Sequence, residues 1–442
     1  MKEFLGSLHA KGYLKQIKEK ISPELEIASV LHSAQDTPIL FENVEASSLK
    51  LAGNLYGKRE YLELGLKLEP GNLVKAIEDA MKFPSSTKGK ISDFNKDDWS
   101  YCGEADLTKL PVLKHFPNEA GFYISAGIVA ARFPGSEFEN LSFHRMLVLS
   151  KNKLAARVVP RHLNQIAKEV PRKKIPVSII IGPPPSVFLS ASLQIGYGES
   201  EYNVANKLSG GSLQLVNSET FDIVVPRDSE LILEGYIDFQ ELTDEGPFVD
   251  LTGTYDEVRK QPVVTLQRMR YRKDSVYQAV VASTREHSLF MGLPQELKIR
   301  EAMSKSVPGF RGINLTPSSG GYFHCVVSID KGNDGDGKTA ILNCFAASHP
   351  LKLVVAVDND IDPFNLEQVE WALATRFQAS NGLVVVNGAK GSSLDPSSGK
   401  TAVTSKLGLD ATLPVKANRS TFEEAKPTSS QKIDAILNSL SN

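Results

Sequence analysis

The feature that most constrains the fold is a change of texture near residue 110. From there to about residue 295 short β-rich runs follow one another, at 123–132, 144–150, 177–181, 221–225, 231–237, 263–271 and 277–282, with turn residues between them. Many short strands with few helices predict a barrel or a sandwich. One helical stretch, His162–Glu169, interrupts the series. Before it, 3–20 and 73–83 carry helical periodicity, 38–41 is strand-like, and 84–98, rich in Ser, Lys and Asp, reads as an exposed connection. After it, helices are predicted at 295–306 and Leu366–Arg376, and strands at 325–330, 353–357 and 383–386. That alternation favours an open α/β sheet. The tail from Lys416 is polar and ends in a predicted helix at 431–440. The expected organisation is an N-terminal α/β unit over 1–109, a β unit over 110–295 and a C-terminal α/β unit over 296–442 that offers an assembly surface.

Composition narrows the class. A chain of 442 residues is long enough for two to four domains of about 100–200 residues each. A formal net charge of −2 gives no argument for nucleic acid or an anionic membrane as partner. The longest apolar runs, such as Val177-Ser178-Ile179-Ile180-Ile181, are strand-sized and far short of a membrane span. Met1-Lys2-Glu3-Phe4 opens a charged amphipathic segment with no apolar signal core behind it. The three cysteines, Cys102, Cys325 and Cys344, have no paired spacing and fit a reducing compartment, so a cytoplasmic protein is expected.

Familiar catalytic signatures give no lead: there is no G-x-S-x-G elbow, no H-E-x-x-H and no C-x-x-C. Three constellations remain. In Asp244-Glu245-Gly246-Pro247-Phe248-Val249-Asp250, Gly-Pro makes a turn flanked by carboxylates. Such a turn can aim two acids into one cleft and split their proton affinities, or it is simply an acidic hairpin loop. In Asn140-Leu141-Ser142-Phe143-His144-Arg145, strand alternation sets Asn140, Ser142 and His144 on one face and Arg145 on the other. An arginine among apolar neighbours can grip a carboxylate bidentately, or lie solvated at an edge. His162, at a helix start in Pro160-Arg161-His162-Leu163, is a metal ligand or a surface cap; Glu199 and Glu201 share that ambiguity. An Asn, a His and a carboxylate together suit Mg²⁺ or Mn²⁺ beside a phosphate.

In order along the chain, these segments resemble the UbiD-type family of prenylated-FMN-dependent decarboxylases. The resemblance is carried by Asn140 to Arg145, Pro160-Arg161-His162, Ile181-Gly182-Pro183-Pro184-Pro185, Glu201-Tyr202-Asn203-Val204-Ala205, Glu245-Gly246-Pro247-Phe248, Val357-Asp358-Asn359-Asp360-Ile361-Asp362 and Lys406-Leu407-Gly408-Leu409-Asp410. It runs from about residue 110 to 412 and more weakly over the N-terminal region.

The resemblance implies a split β-barrel flavin-binding domain between two α/β domains. It implies that Arg145 holds the substrate carboxylate, that Glu245 positions Arg145, and that Asp250 protonates carbon after CO₂ has left. Asn140, His162 and Glu201 would bind Mn²⁺ beside the flavin phosphate, with K⁺ accompanying. Ser125, Ser142, Arg161 and Lys352 match positions near the cofactor. The last acid is Asp250, where some members have Glu, and Arg161 stands where some have Gln, an extra cation that suits a phosphorylated acid. The archaeal branch that decarboxylates trans-anhydromevalonate 5-phosphate to isopentenyl phosphate is the most similar. The alternatives are a 4-hydroxybenzoate-like aromatic acid as substrate, or a flavin-binding barrel without decarboxylase activity. The partners implied are a small unsaturated carboxylic acid, a UbiX-type prenyltransferase as cofactor supplier, and further copies of the chain in a dimer or hexamer.

Overall fold

The computed structural model describes residues 1–425 together with Ile433 and Ile436; the helix expected at 431–440 lies outside the described residues but for those two positions. The β-rich middle forms one nine-stranded sheet. Its path runs Tyr123–Ile124, Met146–Ser150, Lys153–Ala156, Arg259–Tyr271, Leu231–Glu245, Lys174–Ile181, Ile128–Arg132 and Glu139–Phe143, with Tyr101–Glu104 also paired to Arg259–Tyr271. The first strand of that path and the last but one are joined by residues 125–127 alone. Three residues span about 10 Å, so the sheet's two ends must curl toward each other, as in a split barrel.

The sheet is covered on both faces, which explains why 177–181 reads as a continuous apolar run. Ile175, Val177, Ile179 and Ile181 pack with Leu233, Ile237 and Leu266 in one core, while Ile180 and Ile232 meet Val187 and Phe188 in another. Each such buried aliphatic side chain stabilises the fold by about 1.5–3 kcal/mol.

Several expected elements change at their edges. The helix expected over 3–20 is Lys2–Ala10 only. Gly12, at φ +74, ends it, and the lysine-rich Lys15–Ile21 becomes an exposed edge strand parallel to Ile39–Val44. The run at 277–282 is the strand Val276–Gln278, and it pairs with Lys50–Gly53 in a four-stranded sheet outside the barrel. The run at 221–225 is Val224–Pro226, which pairs with Gln214–Asn217, itself parallel to Lys90–Ser92. The stretch 84–98 is therefore more than a connection: Lys88 Nζ lies 3.0 Å from the buried carboxylate of Glu139. The helix expected at 295–306 begins earlier and spans Arg285–Ser306; Pro294 inside it breaks the sequence signal without breaking the helix.

The C-terminal part is the expected open α/β sheet. Its order is Phe310–Leu315, His324–Ile329, Leu353–Asp358, Val403–Asp410, Leu383–Lys390. Asp336–Ala347 packs on one face and Leu366–Arg376 on the other. Among the described residues no helix is long and apolar enough to cross a membrane.

Candidate active site

Arg145 does not continue a strand. Glu139–Phe143 ends two residues before it and Met146–Ser150 begins one after it. The break frees its side chain to reach the far end of the strand Leu231–Glu245. There Nε donates to Glu245 Oε1 at 2.9 Å and Nη2 to Oε2 at 3.1 Å. Nη1 donates to Asp250 Oδ2 at 2.8 Å, and Nη2 also donates to Asp256 Oδ2 at 2.9 Å. The guanidinium lies 4.8 Å over the ring of Phe248.

The turn that carries the acids, whose Gly246-Pro247 peptide bond is cis, leads into the short hairpin Phe248–Val249 and Tyr255–Asp256. The expected trio of Arg145, Glu245 and Asp250 is thus brought together, with Asp256 as a fourth member not expected from sequence.

Burial works against the charge on Arg145, but the bonds to Glu245 and the nearby charges of Asp250 and Asp256 outweigh it and hold the guanidinium above its ordinary range. Burial opposes ionisation of Asp256 too; its bonds to Arg259 and Arg145 hold it below the usual carboxylate range. Glu245 is fully buried, whereas the side chain of Asp250 is 20% exposed. Asp250 is therefore the acid that can meet a ligand. Guanidinium has five N–H donors, and four of them are taken up here among the described residues. The remaining N–H, on Nη1, lies beside Asp250, where an incoming carboxylate can share it.

Two further side chains border this network without a sequence signal. His287, in the first turn of Arg285–Ser306, accepts from the Ser283 N–H at 3.2 Å. Burial pushes it below its ordinary range, while Asp250 opposes that shift and Arg145 adds to it. Burial raises Tyr322, which feels both Arg161 and Asp250.

Of the expected metal and cofactor residues, Asn140, Ser142 and Glu201 lie together along the strand Glu139–Phe143. Asn140 Nδ2 donates to Ser142 Oγ at 3.0 Å, Ser142 Oγ lies 2.9 Å from His144 Nε2, and His144 Nδ1 lies 2.9 Å from the Arg157 carbonyl. Strand alternation thus holds for these three side chains. The chain of bonds assigns the proton to Nδ1, and burial lowers His144 to about 4, so the ring is neutral. Glu201 is buried, accepts the Leu141 N–H at 2.8 Å, and is pushed up to about 8 by burial. Glu199 is exposed and accepts the Gly196 N–H, which separates the two candidates.

Glu201 approaches the strand of Asn140 as a desolvated carboxyl in want of a cation, which fits a metal ligand. Burial and the charge of Arg161 lower His162, which fits a neutral imidazole ligand. Arg161, His162, Lys168 and Tyr197 border a cavity of about 350 Å³ with no carboxylate in its lining. That lining suits a phosphate. Among the described residues no three His, Cys, Asp or Glu side chains lie together so as to hold a metal by themselves. Ser125, at the barrel seam, accepts the Val280 N–H at 3.4 Å. Lys352 lies elsewhere in its bonding, paired with Asp395 at 2.9 Å and Ser397 at 2.6 Å beside a second cavity.

One phosphate-loop spacing, G-x-x-x-x-G-K-[ST], does occur, at Gly332 to Thr339 between His324–Ile329 and Asp336–Ala347. Several of its backbone donors are already used within the chain. Asp336 Oδ2 accepts the N–H of Gly332 and of Asn333, both at 2.9 Å. A carboxylate of the chain itself fills the place a phosphate would take, so the loop is structural.

Comparison with known proteins shows the family. The chain matches the 3-octaprenyl-4-hydroxybenzoate carboxy-lyase (UbiD) models for the N-terminal domain over residues 5–81, the Rift-related domain over 93–285 and the C-terminal domain over 288–411. It is 38% identical to the anhydromevalonate phosphate decarboxylase of Methanothermobacter thermautotrophicus over 94% of this chain and 97% of that one. It is 37% identical to the Methanosarcina mazei protein of the same name, over 96% and 98%. The UbiD-class enzyme HmfF from Pelotomaculum thermopropionicum, solved in complex with FMN, superposes with a TM-score of 0.93 at 31% identity over 98% of each chain.

Proposed function

Because this chain belongs to the UbiD family of carboxy-lyases, we propose that it decarboxylates trans-anhydromevalonate 5-phosphate to isopentenyl phosphate with prenylated FMN as cofactor. The observation that carries the reading is the Arg145–Glu245–Asp250 network: one guanidinium, one fully buried acid fixing it and one part-exposed acid beside it. Anhydromevalonate phosphate decarboxylases that match nearly the full chain support the substrate, as does the exposed Arg161 next to His162.

Losing CO₂ from an sp² carbon leaves electrons that no side chain can delocalise; prenylated FMN, when bound, supplies that electron sink. The chain's own residues do the rest. Arg145 takes the substrate carboxylate on its remaining Nη1 N–H and orients it. Glu245 holds Arg145 rigid. Asp250, in its protonated form, gives its proton to the carbon that carried the carboxylate. Being part-exposed, it regains a proton from solvent before the next turnover. Phe248 shields one face of Arg145 from water.

Asn140, His162 and Glu201 would hold Mn²⁺ next to the flavin phosphate, with K⁺ alongside and Ser125, Ser142, Arg161 and Lys352 near the cofactor. The reading includes the domain division at 1–109, 110–295 and 296–442, a cytoplasmic homo-oligomer assembled through the C-terminal part, and cofactor supply by a UbiX-type prenyltransferase. Substrate choice is tested by assaying Arg161→Gln on phosphorylated and unphosphorylated acids. A rise in KM confined to phosphorylated acids supports the substrate; an equal effect on all acids, or turnover of 4-hydroxybenzoate alone, replaces it with the aromatic-acid reading.

A further inference from the structure

Behind the acid turn lies a buried layer built from residues 115–123. Glu119 and His115 have fully buried side chains. Glu119 Oε2 accepts the N–H of His115 at 2.9 Å and of Phe116 at 3.2 Å, and lies 3.3 Å from His115 Nδ1. Its other oxygen, Oε1, accepts the N–H of Val249 at 3.4 Å. Val249 is the residue before Asp250.

The same segment grips the turn through four more contacts. The Ala120 N–H donates to the Pro247 carbonyl at 3.0 Å, and the Asn118 N–H donates to the Tyr255 hydroxyl at 3.2 Å. The rings of Tyr123 and His115 stand 4.6 and 5.9 Å from that of Phe248, the ring under Arg145. Residues 247–249 and Tyr255 are thus held from one side by 118–123, while Arg145 meets the acids from the other.

We propose that Glu119 is a positioning residue for the reaction: its carboxylate ties Val249 to the 115–123 layer and so fixes Asp250 against Arg145. This rests on the decarboxylase reading. The chemistry calls for a carboxylate rather than an amide. All of Glu119's backbone partners are donors, and an ionised carboxylate only accepts. A glutamine would turn an NH₂ group toward one of those N–H groups and leave it unsatisfied. The reacting geometry is sensitive at this scale, since about 1 Å of misplacement costs about 100-fold in rate.

The test is Glu119→Gln in the flavin-loaded enzyme, assayed well below its melting temperature, with Glu119→Asp alongside. We expect kcat to fall about 10- to 100-fold with KM changed less than about 2-fold and flavin content unchanged, because Arg145 stays clamped by Glu245. Glu119→Asp, which keeps two acceptor oxygens, recovers part of the loss. Equal loss of flavin content and activity in both variants, or a kcat within about 2-fold of wild type, overturns the proposal. A crystal structure of Glu119→Gln decides independently of turnover. Separation of Asp250 Oδ2 from Arg145 Nη1 beyond its present 2.8 Å supports the proposal, and an unmoved Asp250 contradicts it. A wild-type enzyme that releases no CO₂ defeats the decarboxylase reading, while that crystal structure still decides whether Glu119 places Asp250.

Discussion

Arg145 and Glu245 share two parallel hydrogen bonds, Nε to Oε1 at 2.9 Å and Nη2 to Oε2 at 3.1 Å, with the glutamate fully buried. This fork sets the plane of the guanidinium and therefore the direction of its remaining donor. Asp250 and Asp256 complete a site in which one buried cation is shared among three acids.

Glu245→Gln removes the charge but keeps the shape. Breaking a buried pair from one side leaves the other charge poorly compensated and costs about 3–5 kcal/mol. Asp250 and Asp256 still neutralise Arg145, so we expect a loss of about 3 kcal/mol in urea unfolding, at the lower end of that range. Turnover is expected to fall by more than about 100-fold, since Arg145 is no longer oriented. Wild-type stability together with wild-type turnover would remove Glu245 from its role.

Asp250→Asn separates protonation from binding. Loss of a general acid lowers rates by about 10²–10⁴-fold. The expected outcome is a kcat reduced on that scale with flavin and metal content at wild-type levels, read by absorbance and elemental analysis. Full activity in this variant would show that another group donates the proton.

Metal binding discriminates between the two glutamates. Glu201→Gln is expected to weaken Mn²⁺ binding by at least about 10-fold, measured by electron paramagnetic resonance titration. Glu199→Gln, at an exposed residue bonded to the Gly196 backbone, is expected to leave it unchanged. The opposite pattern would make Glu199 the ligand.

Glu286 makes a prediction about pH. It is fully buried, accepts the Tyr56 N–H at 3.1 Å, and burial raises it from 4.5 to about 8. Between those values the folded state holds a proton that the unfolded state has released. Its contribution therefore weakens as pH rises from 4.5 toward 8. Glu286→Gln cannot ionise and lacks this slope. Its stability relative to wild type is expected to increase by more than about 1 kcal/mol across that interval, because each tenfold difference in proton affinity between the two states is worth about 1.4 kcal/mol. Parallel pH profiles for the two proteins would show that Glu286 is not held protonated.

Much of this was legible in the sequence where one short segment carries the information. The acid turn was visible because Glu245, Gly246-Pro247 and Asp250 lie within six residues, and Asn140, Ser142 and His144 because strand alternation aligns them. The helical reading failed at Gly12, where a positive φ ends the helix and local periodicity runs on into an edge strand. His287 and Tyr322 left no trace, since only the docking of Arg285–Ser306 and the C-terminal sheet brings them to Asp250. Asp256 was missed because hairpin pairing of Tyr255–Asp256 with Phe248–Val249 turns it back toward Arg145. Glu119 was invisible for the same reason: its partner Val249 is far away along the chain.

The most direct test of the central claim is CO₂ release by protein coexpressed with a UbiX-type prenyltransferase, with trans-anhydromevalonate 5-phosphate as substrate. The account predicts a coloured, flavin-loaded protein that releases CO₂ and forms isopentenyl phosphate, with both lost in Arg145→Ala. A folded, flavin-loaded enzyme that releases no CO₂ from this acid, or an Arg145→Ala variant as active as wild type, would contradict it.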